Sequence, residues 1–492
     1  MAKENLRLSA ADRSLFVKVA RQAFINPFSE ERDRLDLELA GSGKGKDQLS
    51  IRKAVVEKVS HRVELLVQKN VGVYTRYVES DRATLRQVIL FYVFHLFVDF
   101  FDHLILDQIK RGDTSLQVEF AEDCIERLEE FGFSKREAEQ FFAFFYQLRR
   151  AYYFINQRLV GRSASMRAFR MHLWNNVFTW DVGWYEKSLW DRMEDFSTLL
   201  LGETGSGKGT AALAVGSSGY IPYDRKRKRF IESFVGSFLS INLSQYSEAL
   251  IESELFGHKK GAFTGAVESH EGVFSLCRPH GAILLDEIGD VPPRLQIKLL
   301  QVLQERFFIP VGSHLKKRFQ GRVIAATHRD LATLRREDRF RDDFYYRLCS
   351  DILVVPPLRE RLKEDPAEID ELVKHVLIRL VGDSGLDLLD RVQSVLQDSL
   401  PRNYDWPGNV RELEQAVRRV LLTGQYSVDP SGGDSPAGLE LEDQIRKGSM
   451  RLKDVCSLYC RRLYEEHGTY EMVSRIAGVD RRTVKKYIEK SD

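Results

Sequence analysis

The chain has 492 residues, too many for one ordinary domain and enough for two to four. Its 43% hydrophobic and 30% charged content fits a folded globular protein and argues against a disordered, fibrous or membrane-embedded chain. Lys and Arg (74) nearly cancel Asp and Glu (72), so any nucleic-acid surface has to be local rather than global.

The start, Met1 to Arg13, is polar and reads as no signal peptide. The longest apolar run, Val88 to Val98, contains His95 and is far short of a membrane span. Five cysteines (124, 277, 349, 456 and 460) form no CxxC pair and suit a reducing cytoplasm, with no membrane partner expected. Cys456 and Cys460 sit four apart in a helical pattern, as neighbouring thiols on a packed face.

Residues 1–156 read as helical: apolar residues recur at helical spacing, and polar breaks fall near Gly41–Lys46 and Arg111–Ser115. Two aromatic-rich segments, Phe91 to Phe101 and Phe141 to Phe154, predict helices packed through their rings. His95, Asp99 and His103 at i, i+4 and i+8 are expected on one helix face. That spacing could hold a metal, although a polar stripe with His–Asp pairs is the preferred reading. From Leu159 a loop enters a helix, and four of the five tryptophans lie between Trp174 and Trp190, where they are expected to pack a local extension.

Thr198 to Leu201 is expected as a short buried strand. Gly202-Glu203-Thr204-Gly205-Ser206-Gly207-Lys208 then leads into a helix. Glycines let successive N–H groups point at phosphates, and a helix N-terminus adds a favourable field. Lys208 is expected at the β- and γ-phosphates; Gly209 stands where a hydroxyl residue is usual, and Thr210 follows. Gly261-Ala262-Phe263-Thr264-Gly265-Ala266 is a mobile stretch that presents one aromatic at a tip, or simply a turn between core elements. Ala282 to Glu287 is a buried apolar strand ending in two carboxylates. Asp286 is placed to hold Mg²⁺, and Glu287 to polarise an attacking water. Val323 to Thr327 is a third buried strand, ending at His328. Arg341 and Arg347 are either surface salt-bridge partners or guanidiniums offered to a neighbour's γ-phosphate. Trp406 to Leu413 turns into a helix with Arg411 in its first turn, where a cation opposes the helix field unless an anion is near.

A Gly/Ser/Pro linker precedes a small basic tail, which carries 12 Lys/Arg against 7 Asp/Glu from Ile445 to Asp492. Its end reads as helix, glycine turn, helix. Arg481, Arg482, Thr483, Lys485 and Lys486 crowd the second helix, either for phosphate and base contacts or as a solvated basic face.

Six segments carry a resemblance: Glu252–Ala266, Leu284–Asp290, Leu295–Glu305, Phe340–Leu348, Pro356–Asp365 and Trp406–Val417. Through them, Leu159 to Leu422 resembles the AAA+ domain of bacterial enhancer-binding proteins, the sigma-54-dependent transcription activators. The tail resembles their Fis-type helix-turn-helix. The resemblance implies a multidomain fold: an α-helical regulatory or sensor region 1–156, an α/β AAA+ P-loop ATPase with a helical lid at 157–424, a linker at 425–444 and a helix-turn-helix at 445–492. It implies ATP and Mg²⁺ as cofactors, Gly202–Lys208 as Walker A and Asp286 with Glu287 as Walker B. Asn242 would restrain Glu287, His328 would occupy the sensor I position, and Arg411 would be sensor II. Arg341 and Arg347 would act across subunits of a ring, a hexamer. Phe263 and Thr264 would touch the sigma factor of the polymerase, with Pro292 to Arg294 on a neighbouring second loop, and the tail would bind upstream enhancer DNA. Three departures stand out: Gly209 for an acidic residue, His328 for Asn, and an inserted basic run, Arg225 to Arg229, beside the Trp-rich stretch. The alternative is a DNA-binding AAA+ regulator or repressor that does not remodel polymerase; the intact 261–266 sequence argues against it.

Overall fold

The computed structural model describes residues 6–41, 47–69, 71–401, 404–427 and 452–489. The linker expected at 425–444 therefore lies mostly outside the described residues. The chain divides into two compact units: Met1–Gln397 with Arg402–Gly424, and Asp398–Pro401 with Gln425–Asp492.

The first unit opens with helices, as the aromatic-rich spacing predicts. They are α1 (Ala10–Phe24), α2 (Glu30–Ala40), α3 (Gln48–Gln68), α4 (Glu79–Leu96), α5 (Val98–Arg111), α6 (Ala121–Glu130), α7 (Lys135–Gln157) and α8 (Ala164–Phe178). Polar N-caps set several starts: the side chains of Ser9, Ser29 and Asp47 each accept a backbone N–H of the first turn, and Ser134 with Glu137 forms a capping box. Gly41 ends α2 in a left-handed conformation (φ 76°).

The parallel sheet has the order β4 (Phe238–Asn242), β5 (Ala282–Asp286), β8 (Arg322–Thr327), β1 (Thr198–Leu201), β9 (Asp351–Val354). Two short hairpins flank it, β2 (Tyr223–Asp224) with β3 (Arg229–Phe230), and β6 (Phe307–Phe308) with β7 (Lys317–Arg318). α9 (Lys208–Gly216), α10 (Glu248–Phe256), α11 (Pro293–Glu305) and α12 (Asp342–Leu348) surround the sheet. The lid is α13 (Leu358–Glu364), α14 (Glu368–Val381), α15 (Leu389–Ser399) and α16 (Asn409–Thr423).

Strand side chains alternate between faces, which splits the core in two. Leu199, Ile283, Leu285, Val323 and Ala325 pack with α11 and α12 on one side. Leu200, Leu284, Ile324, Ala326 and Leu353 face the other way, into a core that runs without a break to Leu8, Phe16 and Val55. The expected boundary at 156 thus falls at the last turn of α7, inside a shared core rather than in a linker.

α7 makes the join. Its Arg150 is fully buried and donates to the Ser217 carbonyl at 2.7 Å and the Gly219 carbonyl at 2.6 Å, and Gln147 donates to Ser218 O at 2.9 Å. These carbonyls lie at and just beyond the C-terminal end of α9, where a cation is favoured. Burial pulls the Arg150 guanidinium down to about 10, still charged at neutral pH.

One residue of the inserted basic run, Arg225, is anchored, while Lys226 to Arg229 are exposed. Arg225, in the turn of the β2–β3 hairpin, is bound to Glu122 and, at 2.8 Å, to Glu129, both on α6. Phe230 stacks on Phe142 and Tyr146 of α7, with ring centroids 5.7 and 4.3 Å apart. The tryptophans differ from expectation. Trp174 is buried, but Trp180 and Trp184 are 73% and 59% exposed and pack edge-on against each other.

His95, Asp99 and His103 do not share one helix. α4 ends at Leu96 and α5 begins at Val98, with 53° between their axes, because Phe97 leaves the helical conformation (φ −109°, ψ 6°). His95 Nδ1 lies 2.8 Å from the Phe91 carbonyl and His103 Nδ1 lies 2.7 Å from the Asp99 carbonyl. No metal-binding cluster occurs among the described residues. No single described helix is long and apolar enough to cross a membrane; only the bent α4–α5 pair passes that test, and the two helices do so only together.

In the second unit, α17 (Leu452–His467), α18 (Tyr470–Ala477) and α19 (Arg481–Glu489) close over Cys460, Val473 and Val484. Gly478 takes φ 65° between the last two helices, the turn the spacing predicts. Arg481, Arg482, Lys485 and Lys486 are exposed on α19, and Thr483 is half-buried. The Cys460 thiol is buried and its neighbour Cys456 half-buried; both are free.

Candidate nucleotide-binding site

β1 is apolar and buried, and it ends where the glycines begin. Gly205 (φ 77°) and Gly207 (φ 113°) take left-handed backbone that other residues avoid. A side chain at Gly205 would also collide with the Gly408 carbonyl of the lid. Gly207 is the N-cap of α9, so the loop ends on a helix N-terminus. A cleft of about 340 Å³ opens here, lined by Thr204 to Thr210 together with Asn242, Asp286, Glu287 and Arg411. The structure brings these expected residues together. Lys208 Nζ donates to the Gly202 and Glu203 carbonyls at 2.9 and 3.1 Å, bent back onto its own loop. Burial lowers its pKa, with Glu287 and Asp286 opposing.

Asp286 ends β5, and its neighbour Glu287 follows in left-handed backbone (φ 56°, ψ 49°). Burial raises the Asp286 pKa, and the Glu287 charge adds to the rise. Two half-desolvated carboxylates facing one cleft fit a divalent cation, which relieves both costs. Glu287 Oε2 accepts from His328 Nδ1 at 2.8 Å and from His328 N at 3.3 Å. Asn242 lies in register beside Asp286, but its Oδ1 takes the Ser244 N–H (3.0 Å) and hydroxyl (2.7 Å). The restraint on Glu287 expected from Asn242 therefore comes from His328 in this structure. A short amide at a helical start satisfies its own turn first.

The lid reaches the loop through a residue the sequence did not single out. Asn409 is fully buried in left-handed backbone (φ 54°) at the start of α16. Its amide donates to Glu203 Oε2 (3.1 Å) and Thr204 O (3.2 Å), and its oxygen accepts Leu358 N at 2.7 Å. Arg359 adds a two-pronged bridge to Glu203, 2.7 and 2.5 Å, which with the Asn409 bond holds that carboxyl below its ordinary range. Leu159, Val160 and Met166 form an apolar part of the wall. A buried pair, Arg361 with Glu368, pins that segment: Arg361 donates to Val160 O at 2.7 Å, and Glu368 accepts Ser163 N at 2.6 Å. The only signal in the sequence was the apolar Leu159-Val160 ahead of a glycine.

Arg341 and Arg347 lie outside the cleft. Arg341 pairs with Asp343 at 2.8 Å, and Arg347 donates to the Leu303 carbonyl at 2.7 Å.

The 261–266 stretch is a loop on the far end of α10. Gly261 N donates to Ala266 O at 2.8 Å, and Gly261 (φ 79°) and Gly265 (φ 102°) use left-handed backbone. A reciprocal His258–His270 backbone pair, each bond 3.0 Å, closes the base. Phe263 is 41% exposed and meets His258 edge-on at 4.9 Å; Thr264 is exposed. The loop beside it is the β6–β7 turn: Lys259 N donates to Val311 O at 3.0 Å, and a side chain at Gly312 would press on Ala262. Pro292 to Arg294, expected on that second loop, instead open α11, because a proline at the first turn loses no helical hydrogen bond.

Residues 188–353 match the sigma-54 interaction domain, and residues 359–429 match the AAA+ ATPase lid domain. The chain is 43% identical over 242 residues to the DNA-binding transcriptional regulator NtrC of Azospirillum brasilense, covering 49% of this chain and 45% of that protein. It is 41% identical over 226 residues to the regulatory protein AtoC of Escherichia coli (strain K12), covering 46% and 45%. The chain thus spans less than half the length of these curated relatives. The solved structure of NtrX from Brucella abortus aligns over 76% of this chain and 79% of that one, at 21% identity and a TM-score of 0.40.

Proposed function

We propose that this chain, whose residues 188–353 and 359–429 match the sigma-54 interaction domain and the AAA+ lid domain, acts as the enhancer-binding transcription activators do and couples ATP hydrolysis to remodelling of sigma-54 RNA polymerase. ATP sits on the Gly202–Lys208 loop, with Leu159, Val160 and Met166 against the base and Arg411 toward the phosphates. Asp286 holds Mg²⁺, directly or through water; the ion's contribution is to neutralise phosphate charge. Glu287 polarises the attacking water, and His328 positions that carboxylate. Arg341 and Arg347, outside their own cleft, serve a neighbouring subunit's γ-phosphate in a ring, a hexamer. The second unit binds upstream DNA through Arg481, Arg482, Thr483, Lys485 and Lys486.

The observation that carries this reading is the short route from cleft to tip. Asn242 lines the cleft, and one nine-residue helix, α10, lies between its turn and the exposed Phe263–Thr264 loop. Glu287→Ala is expected to retain ATP binding and lose turnover. Thr264→Ala is expected to keep ATPase activity and lose engagement of the sigma factor in a promoter-opening assay. Full promoter opening by Thr264→Ala would overturn the contact role of Thr264, whereas no promoter opening by the unaltered chain would favour the regulator or repressor reading.

A further inference from the structure

A cavity larger than the nucleotide cleft lies away from that site. It lies among the N-terminal helices, with a volume of about 600 Å³, within the range of small-molecule sites. Its wall is mainly aromatic and aliphatic, with Phe91, Phe94, Phe144, Phe145, Tyr152 and Trp174 as the large contributors.

Two polar groups on that wall lack a full set of partners. Trp174 is only 6% exposed, and its indole N–H has no acceptor among the described residues. A buried donor in that state is costly unless something enters to meet it. His95 Nδ1 lies 2.8 Å from the Phe91 carbonyl, which can only accept, so Nδ1 carries the proton. Burial pushes the imidazole down to about 4, which leaves Nε2 as a lone-pair acceptor at neutral pH.

The less exposed charges on the wall are paired. Arg32 and Arg52 share Asp36 at 2.9 and 3.2 Å, Arg149 holds Asp102 at 2.6 Å, and Glu186 takes Arg86 at 2.8 Å. Lys53 and Asp99, both exposed, are of opposite sign. Neither has an ion pair among the described residues, but their signs oppose, so a charged guest would find no buried unpaired counter-ion and the cavity suits an uncharged molecule, mostly apolar, with a hydrogen-bond acceptor for Trp174.

The helix that forms one wall also grips the phosphate-loop helix. α7 turns Phe141, Phe144, Phe145, Leu148, Arg149 and Tyr152 to the cavity, one helical face at i, i+3, i+4, i+7, i+8 and i+11. From the adjoining face Gln147 and Arg150 hold Ser217, Ser218 and Gly219 at the end of α9. We infer that this cavity binds an uncharged, mainly apolar ligand bearing a hydrogen-bond acceptor, and that α7 couples its occupancy to nucleotide binding at the other end of α9. The coupling half rests on the ATPase reading above; the binding half does not. Any such coupling is reciprocal, so nucleotide would shift ligand affinity by the same factor.

The test uses the full chain and prodan, an uncharged naphthalene ketone whose emission reports an apolar site. Saturable one-to-one binding is expected. Val56→Trp, which fills the cavity from α3, should abolish it. Trp174→Phe, which keeps a ring but removes the donor, should weaken it about three- to tenfold, the span of one net hydrogen bond. Undiminished binding in both variants would overturn the site, as would tighter binding of the carboxylate 2-naphthoate than of prodan. ADP affinity is then measured by calorimetry with and without saturating prodan. A shift of about threefold or more, lost in Gln147→Met and in Arg150→Met while prodan binding persists, supports the coupling. An unchanged ADP affinity overturns it. Failure of the unaltered chain to bind ADP at all would sink the ATPase reading, while the prodan titration still decides the cavity.

Discussion

The two ends of α9 are held by different parts of the chain in different ways. At its N-terminal end the grip is polar and partly wet. Lys208 rests on loop carbonyls, and Asn409 and Arg359 reach in from the lid to Glu203. At its C-terminal end the grip is dry at Arg150, a fully buried guanidinium on two carbonyls backed by the aromatic packing of α7, with a pocket of about 260 Å³ opening beside Ser218 and Gly219. Wet contacts exchange for ligand contacts at little cost, whereas a dry contact cannot be released without stranding a buried charge. The front of the helix is therefore the adjustable end, and the back is the fixed reference against which adjustment occurs.

The harshest way to break that contrast is to remove the back support altogether. A chain starting at Leu159 would lose α7 and the whole core behind α9. The expected loss is on the order of the entire margin of a domain, about 5–15 kcal/mol. Soluble yield and a melting curve check it; a cooperative melt with normal ATPase activity would show the N-terminal helices to be dispensable. Arg150→Ala asks the same of one side chain. It leaves the Ser217 and Gly219 carbonyls unpaired over a void and is expected to cost about 3 kcal/mol in urea unfolding. At the front, Asn409→Gly keeps the left-handed backbone but drops the three lid contacts. A smaller loss, about 1–2 kcal/mol, is expected there by the same measurement. If the front variant cost more than the back one, the comparison would be reversed.

The smallest effect concerns pH. His95 is held neutral, its pKa far below the ordinary 6.5, chiefly by burial, with the positive Arg32 and Arg149 adding and Asp36 opposing. A depressed folded-state value means that protonation opposes folding. Stability is full above about 6.5 and falls as pH drops toward about 4. In His95→Phe the change in stability between pH 7 and 5 should shrink by about 2 kcal/mol. Equal pH profiles would mean that the imidazole charges without penalty.

The phosphate loop, the carboxylate strand and the 261–266 loop were legible in the sequence because each is contiguous. Their residue types state their chemistry; three of the buried strands were legible as apolar runs, while the α/β fold came from the resemblance. What the sequence withheld were contacts between distant positions. Arg150 meets Ser217 67 residues away, Asn409 meets Thr204 205 residues away, and Arg225 meets Glu122 103 residues away. Nothing local marks such partners, so Arg225 read as part of a basic insertion and Asn409 as part of a turn. The His95, Asp99, His103 face failed for a local reason. Spacing alone cannot announce that Phe97 will break the helix.

Gly209 has a consequence of its own. Nothing lies within 4 Å of where its side chain would begin, so no neighbour requires a glycine there. Yet it sits one residue into α9, in a first turn that glycine enters with more loss of backbone freedom than alanine. The first turn of the phosphate-loop helix is thus wound from a residue that resists winding and leaves an unfilled notch in the cleft wall beside Thr210. A side chain added at that position would favour the helix and narrow the notch together, so one residue sets both the cost of winding that turn and the breadth of the cleft there.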